Sequence, residues 1–146
     1  MNVHILTGVD TVTQGEKLRI AQFLFQHLGQ YGDPKEHILK CLDYAVGFYK
    51  HQGGFIVLAE EGQEIIGAVV VNKTGMEDYI PENILVYIAV HEDHRGKGLG
   101  KILMEKALGF AKGSVALHVE PDNPAKKLYE RLGFTNKYLE MRYTKS

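Results

Sequence analysis

The stretch from Ile84 to Gly100, ILVYIAVHEDHRGKGLG, limits the possible folds more than any other part of the chain. Its first seven residues, Ile84 through Val90, are apolar and mostly β-branched or aromatic, which predicts a strand buried on both faces and central to its sheet. Five polar residues follow, and then Gly96, Gly98 and Gly100 alternate with Lys97 and Leu99 as a helical period begins. Glycines let successive N–H groups turn toward one point, and a helix start adds partial positive charge there. Arg95 and Lys97 bring formal charge to the same corner, so a turn suited to a phosphate is expected.

A chain of 146 residues fits one domain, 1–146, and can bury a core without disulfides or metal. The single cysteine, Cys41, excludes an intrachain disulfide and fits a reducing compartment. Seventeen basic residues against 18 acidic ones leave a net charge of −1, which offers no general attraction to nucleic acid or to an anionic membrane. No apolar run approaches the roughly 20 residues that span a bilayer, and Met1-Asn2-Val3-His4 does not open a charged leader. A soluble cytoplasmic protein is expected, with any binding site local.

Val3 to Thr7 suits a first strand. Thr13-Gln14-Gly15-Glu16 matches a capping box, followed by Leu18, Ala21, Leu24, Phe25 and Leu28 at helical spacing. Asp33 as cap with Pro34 behind it opens a second helix carrying Ile38, Leu42, Ala45, Val46 and Tyr49 on one face and ending at Gly53-Gly54. Phe55 to Ala59 and Ile65 to Val71 flank a polar, glycine-containing link and read as a hairpin. Beyond the glycine turn, a helix from about Gly98 to Lys112 should bury Leu99, Ile102, Leu103, Ala107 and Phe110. Val115 to Val119 then forms a strand parallel to Ile84–Val90. A helix after Asn123-Pro124 buries Ala125, Leu128, Tyr129 and Leu132 and stops at Gly133. Leu139 to Tyr143 alternates as a closing strand. The order β-α-α-β-β-β-α-β-α-β predicts an α/β fold, a mixed sheet with helices on both faces.

Two motifs carry a resemblance. Arg95-Gly96-Lys97-Gly98-Leu99-Gly100 is similar to the Arg/Gln-x-x-Gly-x-Gly/Ala signature of the GCN5-related N-acetyltransferases (GNAT), which hold the pyrophosphate of acetyl-CoA on that loop. Leu117 to Phe134, LHVEPDNPAKKLYERLGF, resembles the same family's strand, Asn, helix, Leu-Tyr and Gly-Phe segment. The two lie in the family's order, and the topology extends the resemblance to nearly the whole chain.

The resemblance implies acetyl-CoA as donor and an amine as acceptor. It implies a bulge near the end of the Ile84–Val90 strand, which opens a wedge beside Val115–Val119. The backbone along Ile88, Ala89 and Val90 would line that wedge, with Ile88 and Val90 pairing with the pantetheine arm. Arg95 through Gly100 would take the pyrophosphate, Asn123 the cofactor arm, and the Tyr129 hydroxyl would face the sulfur.

The chemistry explains those groups. An oxyanion forms as the amine attacks and needs a preorganised donor, here the Val90 N–H; the leaving thiol needs a proton, which Tyr129 can supply. An acceptor with a pKa of about 10.4 must lose a proton before it attacks. His118 and Glu120, two apart on the expected strand, are the candidate bases. In ribosomal-protein N-terminal acetyltransferases a glutamate stands in the slot of His118, so the base stays open.

Asn123 is also a plain helix cap, and Tyr129 also fits a core position. His91-Glu92-Asp93-His94 brings its second histidine one position early for a helical zinc motif, so no metal is expected. Glu77, Asp78 and Glu82 could attract a cationic acceptor or simply lie in solvent. A dinucleotide-binding unit fits poorly, because the spacing is G-x-G-x-G and only 26 residues follow Glu120. A sensor of acyl-CoA with the same fold and no turnover is the second reading. The acceptor side looks open, suited to a peptide end or an extended amine, and the closing strand leaves a homodimer open.

Overall fold

The computed structural model describes residues 1–47 and 53–146. Among them five strands make one sheet in the order β1 (Asn2–Leu6), β2 (Gly54–Glu61), β3 (Glu64–Lys73), β4 (Asn83–Val90) and β5 (Val115–Leu117). Strands β1 to β4 pair antiparallel, and β5 lies parallel to β4. Helices α1 (Gln14–Leu28) and α2 (Lys35–Val46) pack on one face; α3 (Leu99–Phe110) and α4 (Ala125–Arg131) pack on the other. This is the expected mixed sheet with a helical layer on each side.

Half of the expected capping box starts α1: Thr13 Oγ1 accepts the Glu16 N–H at 3.1 Å, while the Glu16 carboxylate accepts from Arg19 at 2.9 Å. Its buried face is rotated from the expected one: Ile20, Phe23 and His27 face inward with Ala21 and Leu24, whereas Leu18 and Phe25 are about half exposed. The true stripe contains Lys17 and His27, which a hydrophobic period discounts. Both are buried because each has a partner: Lys17 Nζ lies 2.9 Å from the Asp43 carboxylate, and His27 Nδ1 accepts the Glu92 N–H at 3.3 Å. Helix α2 buries Ile38, Leu42, Ala45 and Val46 as expected but ends at Gly47 rather than Gly53-Gly54. Tyr49 lies outside the described residues. Helix α3 buries Met104 in place of Ile102 and Phe110, and Phe110 meets the edge of Phe55 instead.

Strand β4 departs from expectation in three ways. It is not the middle strand, a place that belongs to β3; its side chains join the cores on both faces as expected, but Val86 is exposed; and its bulge falls in mid-strand. Val70 pairs with Tyr87 and Val71 with Leu85, so Val86 is the extra residue. A bulge reverses the alternation of side chains. Leu85 accordingly joins the core under α3 while Tyr87, two residues on, joins the core under α1 and α2.

Strand β5 pairs with β4 only from Asn83↔Val115 to Leu85↔Leu117. It ends at Leu117 instead of Val119, so His118 and Glu120 lie beyond it. The closing strand at Leu139–Tyr143 does not form; Leu139 is 84% and Met141 91% exposed. Alternation gives that segment one apolar face, but a ladder also needs a partner edge, and none pairs with it among the described residues.

Asn83 fastens the closed end of the sheet. It is 1% exposed, and its Nδ2 donates to the Lys112 and Ser114 carbonyls at 2.9 and 3.2 Å. Glu82 works beside it, its carboxylate accepting the Ser114 N–H at 2.7 Å and the Asp78 N–H at 3.1 Å, and these backbone donors hold it below the usual carboxylate range. Glu82 is therefore a strut between the β3–β4 loop and β5. Asn83→Ala leaves the Lys112 carbonyl without this donor, while the Ser114 carbonyl keeps the Asn83 N–H at 3.1 Å; it should cost about 1 to 2 kcal/mol, read as a lower denaturant midpoint at unchanged slope.

Candidate active site

Ladder geometry identifies which groups of β4 are open. The His91 N–H donates to the Ile66 carbonyl at 2.8 Å, so alternation turns the backbone groups of Ala89 and Tyr87 toward β3. Those of Ile88 and Val90 face the other side, where β5 has already ended. Between β4 and β5, beyond Leu85 and Leu117, the sheet is split along one edge with main-chain donors and acceptors exposed to a ligand.

The split runs into the glycine turn. Gly96 and Gly98 have φ near +77° and +82°, which a residue with a side chain adopts only under strain. No carbonyl accepts the N–H groups of residues 96–101 among the described residues, and Gly96, Lys97 and Gly98 are exposed. Six main-chain donors therefore remain at the start of α3, where the helix dipole favours an anion. Gly100 serves differently. A Cβ there would stand 3.3 Å from Leu128 Cδ2, so its absence lets α4 approach the turn.

Arg95 takes an unexpected part. Its Nε donates to the Val90 carbonyl at 3.1 Å and its Nη2 to the His27 carbonyl at 2.8 Å, which ties the turn to β4 and to the end of α1. This uses the Val90 carbonyl and leaves the Val90 N–H facing the split.

Helix α4 presents Tyr129, 6% exposed, whose hydroxyl is pushed up to about 12 by burial. At Gly133 the chain folds back, and the Phe134 N–H bonds the Tyr129 carbonyl at 3.0 Å. The Phe134 ring then lies 5.9 Å from that of Tyr129, which explains the Gly-Phe pair. Asn123 acts as a cap, its Oδ1 accepting the Ala125 N–H at 2.9 Å. His118 and Glu120 are exposed on either side of the inward Val119.

The match to known proteins decides the family. A model described as the acetyltransferase (GNAT) family covers residues 18–134. The chain belongs to the GNAT family. A 5-NmdU N-acetyltransferase of Pseudomonas phage PaMx11 is 34% identical over 84 residues, 56% of this chain and 58% of that protein, so the chain spans little more than half of it. Solved structures share the fold, among them three acetyltransferases. A GNAT-family acetyltransferase from Streptococcus pneumoniae TIGR4 has a TM-score of 0.70 at 19% identity, over 99% of this chain and 97% of that one. An aminoglycoside N-acetyltransferase solved in complex with CoA has a TM-score of 0.69 at 17% identity, over 99% and 93%. A ribosomal-protein-alanine N-acetyltransferase from Brucella melitensis biovar Abortus 2308 has a TM-score of 0.61 at 20% identity, over 98% of each chain.

In this GNAT chain the glycine turn adjoins a row of aromatic rings in tilted and edge-on contact. His27 lies 4.8 Å from Phe23 and 4.3 Å from His91, and His91 lies 5.6 Å from His94. Since His27 Nδ1 accepts the Glu92 N–H, the ring must be neutral. Burial lowers its pKa first, and His91 and Arg95 add to this, while Glu92 and Asp93 oppose it. A native value below the unfolded 6.5 means that the unfolded state binds more protons as pH falls past 6.5, so folding stability declines there until the native ring also protonates. Thermal melts between pH 7.5 and about 5 should show that decline, and His27→Gln, which keeps an acceptor, should flatten it; equal slopes for both proteins would contradict this reading of His27.

Proposed function

We propose that this chain is an acetyl-CoA-dependent N-acetyltransferase, moving the acetyl group to a primary amine by direct attack in a ternary complex. Its acceptor is a peptide or protein amino terminus or an extended small amine. The strongest support is the open edge of β4, continuous with a turn of unsatisfied N–H groups, because these donors suit an elongated ligand that ends in phosphates. No helix among the described residues is long and apolar enough to cross a membrane. Acetyl-CoA, when bound, supplies an activated acyl group.

The chain's own residues then divide the work. N–H groups from Gly96 to Gly100 hold phosphate, with Arg95 bracing the turn and Lys97 adding charge. Ile88 pairs with an amide-bearing arm through its outward N–H and carbonyl and Val90 offers only its N–H, its carbonyl being held by Arg95, while Ala89 keeps the strand in register with β3. The Val90 N–H, fixed because Arg95 grips the same residue's carbonyl, is placed to receive developing negative charge on a carbonyl oxygen. Tyr129 donates a proton to the departing thiol, and burial keeps it protonated for that task. Asn123 holds the β5–α4 loop against the arm. His118 and Glu120, in solvent at the mouth of the split, take the acceptor's proton directly or through water.

Free thiol followed with acetyl-CoA and a panel of amines should rise with amine concentration; the same background with every amine would favour a sensor and contradict turnover. Tyr129→Phe should lower kcat by about 10²-fold while the Kd for acetyl-CoA stays within about twofold. Because the hydroxyl titrates near 12, kcat in the parent protein should show no falling limb up to about pH 10.

A further inference from the structure

The loop between α1 and α2 was expected to hold Asp33 as the cap of α2, yet that helix starts at Lys35 behind Pro34 and has no side-chain cap. Asp33 is engaged elsewhere. Its Oδ2 accepts the hydroxyl of Tyr87 at 2.5 Å, across 54 residues of sequence. Tyr87 is 6% exposed and follows Val86, the bulged residue just past the last β4–β5 pair. Two residues before Asp33, the Tyr31 hydroxyl donates to the Asp122 carbonyl at 3.4 Å, beside Asn123 on the β5–α4 loop. One short loop thus reaches both lips of the split, touching β4 through Asp33 and the far lip through Tyr31.

A buried tyrosine hydroxyl needs an acceptor, and here a solvent-facing carboxylate supplies it. Tyr87 is held well above its usual value, first by burial and then by the Asp33 hydrogen bond, so it remains a donor throughout. The bond takes one of about four acceptor positions on the carboxylate. Asp33 itself is exposed, so the others are open to a ligand. The glycine turn with Lys97 follows Val90, which lies three residues beyond Tyr87 along β4.

We infer that Asp33, oriented by Tyr87 on the lip of the split, binds the ammonium group of the acceptor and selects cationic amines. The inference rests on the acetyltransferase reading above. Asp33 is then an acceptor-binding residue and Tyr87 a positioning residue that acts through it. A charge-assisted hydrogen bond to a carboxylate is short and directional, which holds an amine in line as it gives up its proton to solvent or to a base.

The test compares two acceptors under saturating acetyl-CoA: alanine amide, cationic at neutral pH, and acetohydrazide, uncharged there. Asp33→Asn should raise the KM for alanine amide about tenfold or more, leave the KM for acetyl-CoA within about twofold, and leave acetohydrazide nearly unaffected. Tyr87→Phe keeps the carboxylate and loses its orientation, so it should raise the alanine amide KM by about threefold, again sparing acetohydrazide. Equal losses with both acceptors, or unchanged KM values in both variants, overturn the assignment of Asp33 while acetyl transfer stands. Absence of thiol release from the parent protein with either acceptor overturns the acetyltransferase reading and this inference together.

Discussion

Backbone donors and acceptors on a strand edge must be satisfied by something, and β4 carries such an edge from Val86 to Val90. Its pairing with β5 lasts three residues and then stops. Much of the molecule maintains that condition. Asn83 and Glu82 clamp the strands where they do meet. Val86 adds the extra residue that turns Tyr87 to the opposite face from Leu85. The two helical layers bury the faces of the sheet and leave this edge alone. A fully paired edge would satisfy more backbone groups than the split does.

The turn after β4 uses the same resource. Its N–H groups stay without acceptors because Gly96 and Gly98 hold the backbone in a left-handed form, and because Gly100 admits Leu128 so that α4 braces the corner. Arg95 is the link between edge and turn. Sequence reasoning assigns its charge to phosphate, yet its guanidinium holds carbonyls of Val90 and His27. A charged side chain here acts through geometry, fixing which atoms of Val90 remain available.

Most of the fold was legible because its signals are local. Capping at Thr13, the hairpin glycine and the helix stop at Gly133 each depend on a few neighbouring residues, and each formed where expected. Tertiary partners account for what was missed. Periodicity discounts Lys17 and His27, but Asp43 and the Glu92 N–H make their burial tolerable and rotate α1 accordingly. A run of seven apolar residues does not reveal a bulge, so the extra residue Val86 is not seen in it. Leu139 to Tyr143 has a strand's pattern without a strand's partner. At the site, the glycine turn, Tyr129 and Asn123 stand out as motifs, whereas Tyr31 and Tyr87 look like ordinary aromatics until the loop is seen to touch both lips.

Amide hydrogen exchange at single-residue resolution, with and without coenzyme A, tests the open edge most directly. Without ligand, Ile88 and Val90 should exchange much faster than Ala89, which β3 protects. Coenzyme A should slow Ile88, Val90 and residues 96–100 by about tenfold or more while Ala89 stays as it was. Equal protection at all three β4 positions in the free protein, or slowing confined to some other surface, would contradict the account.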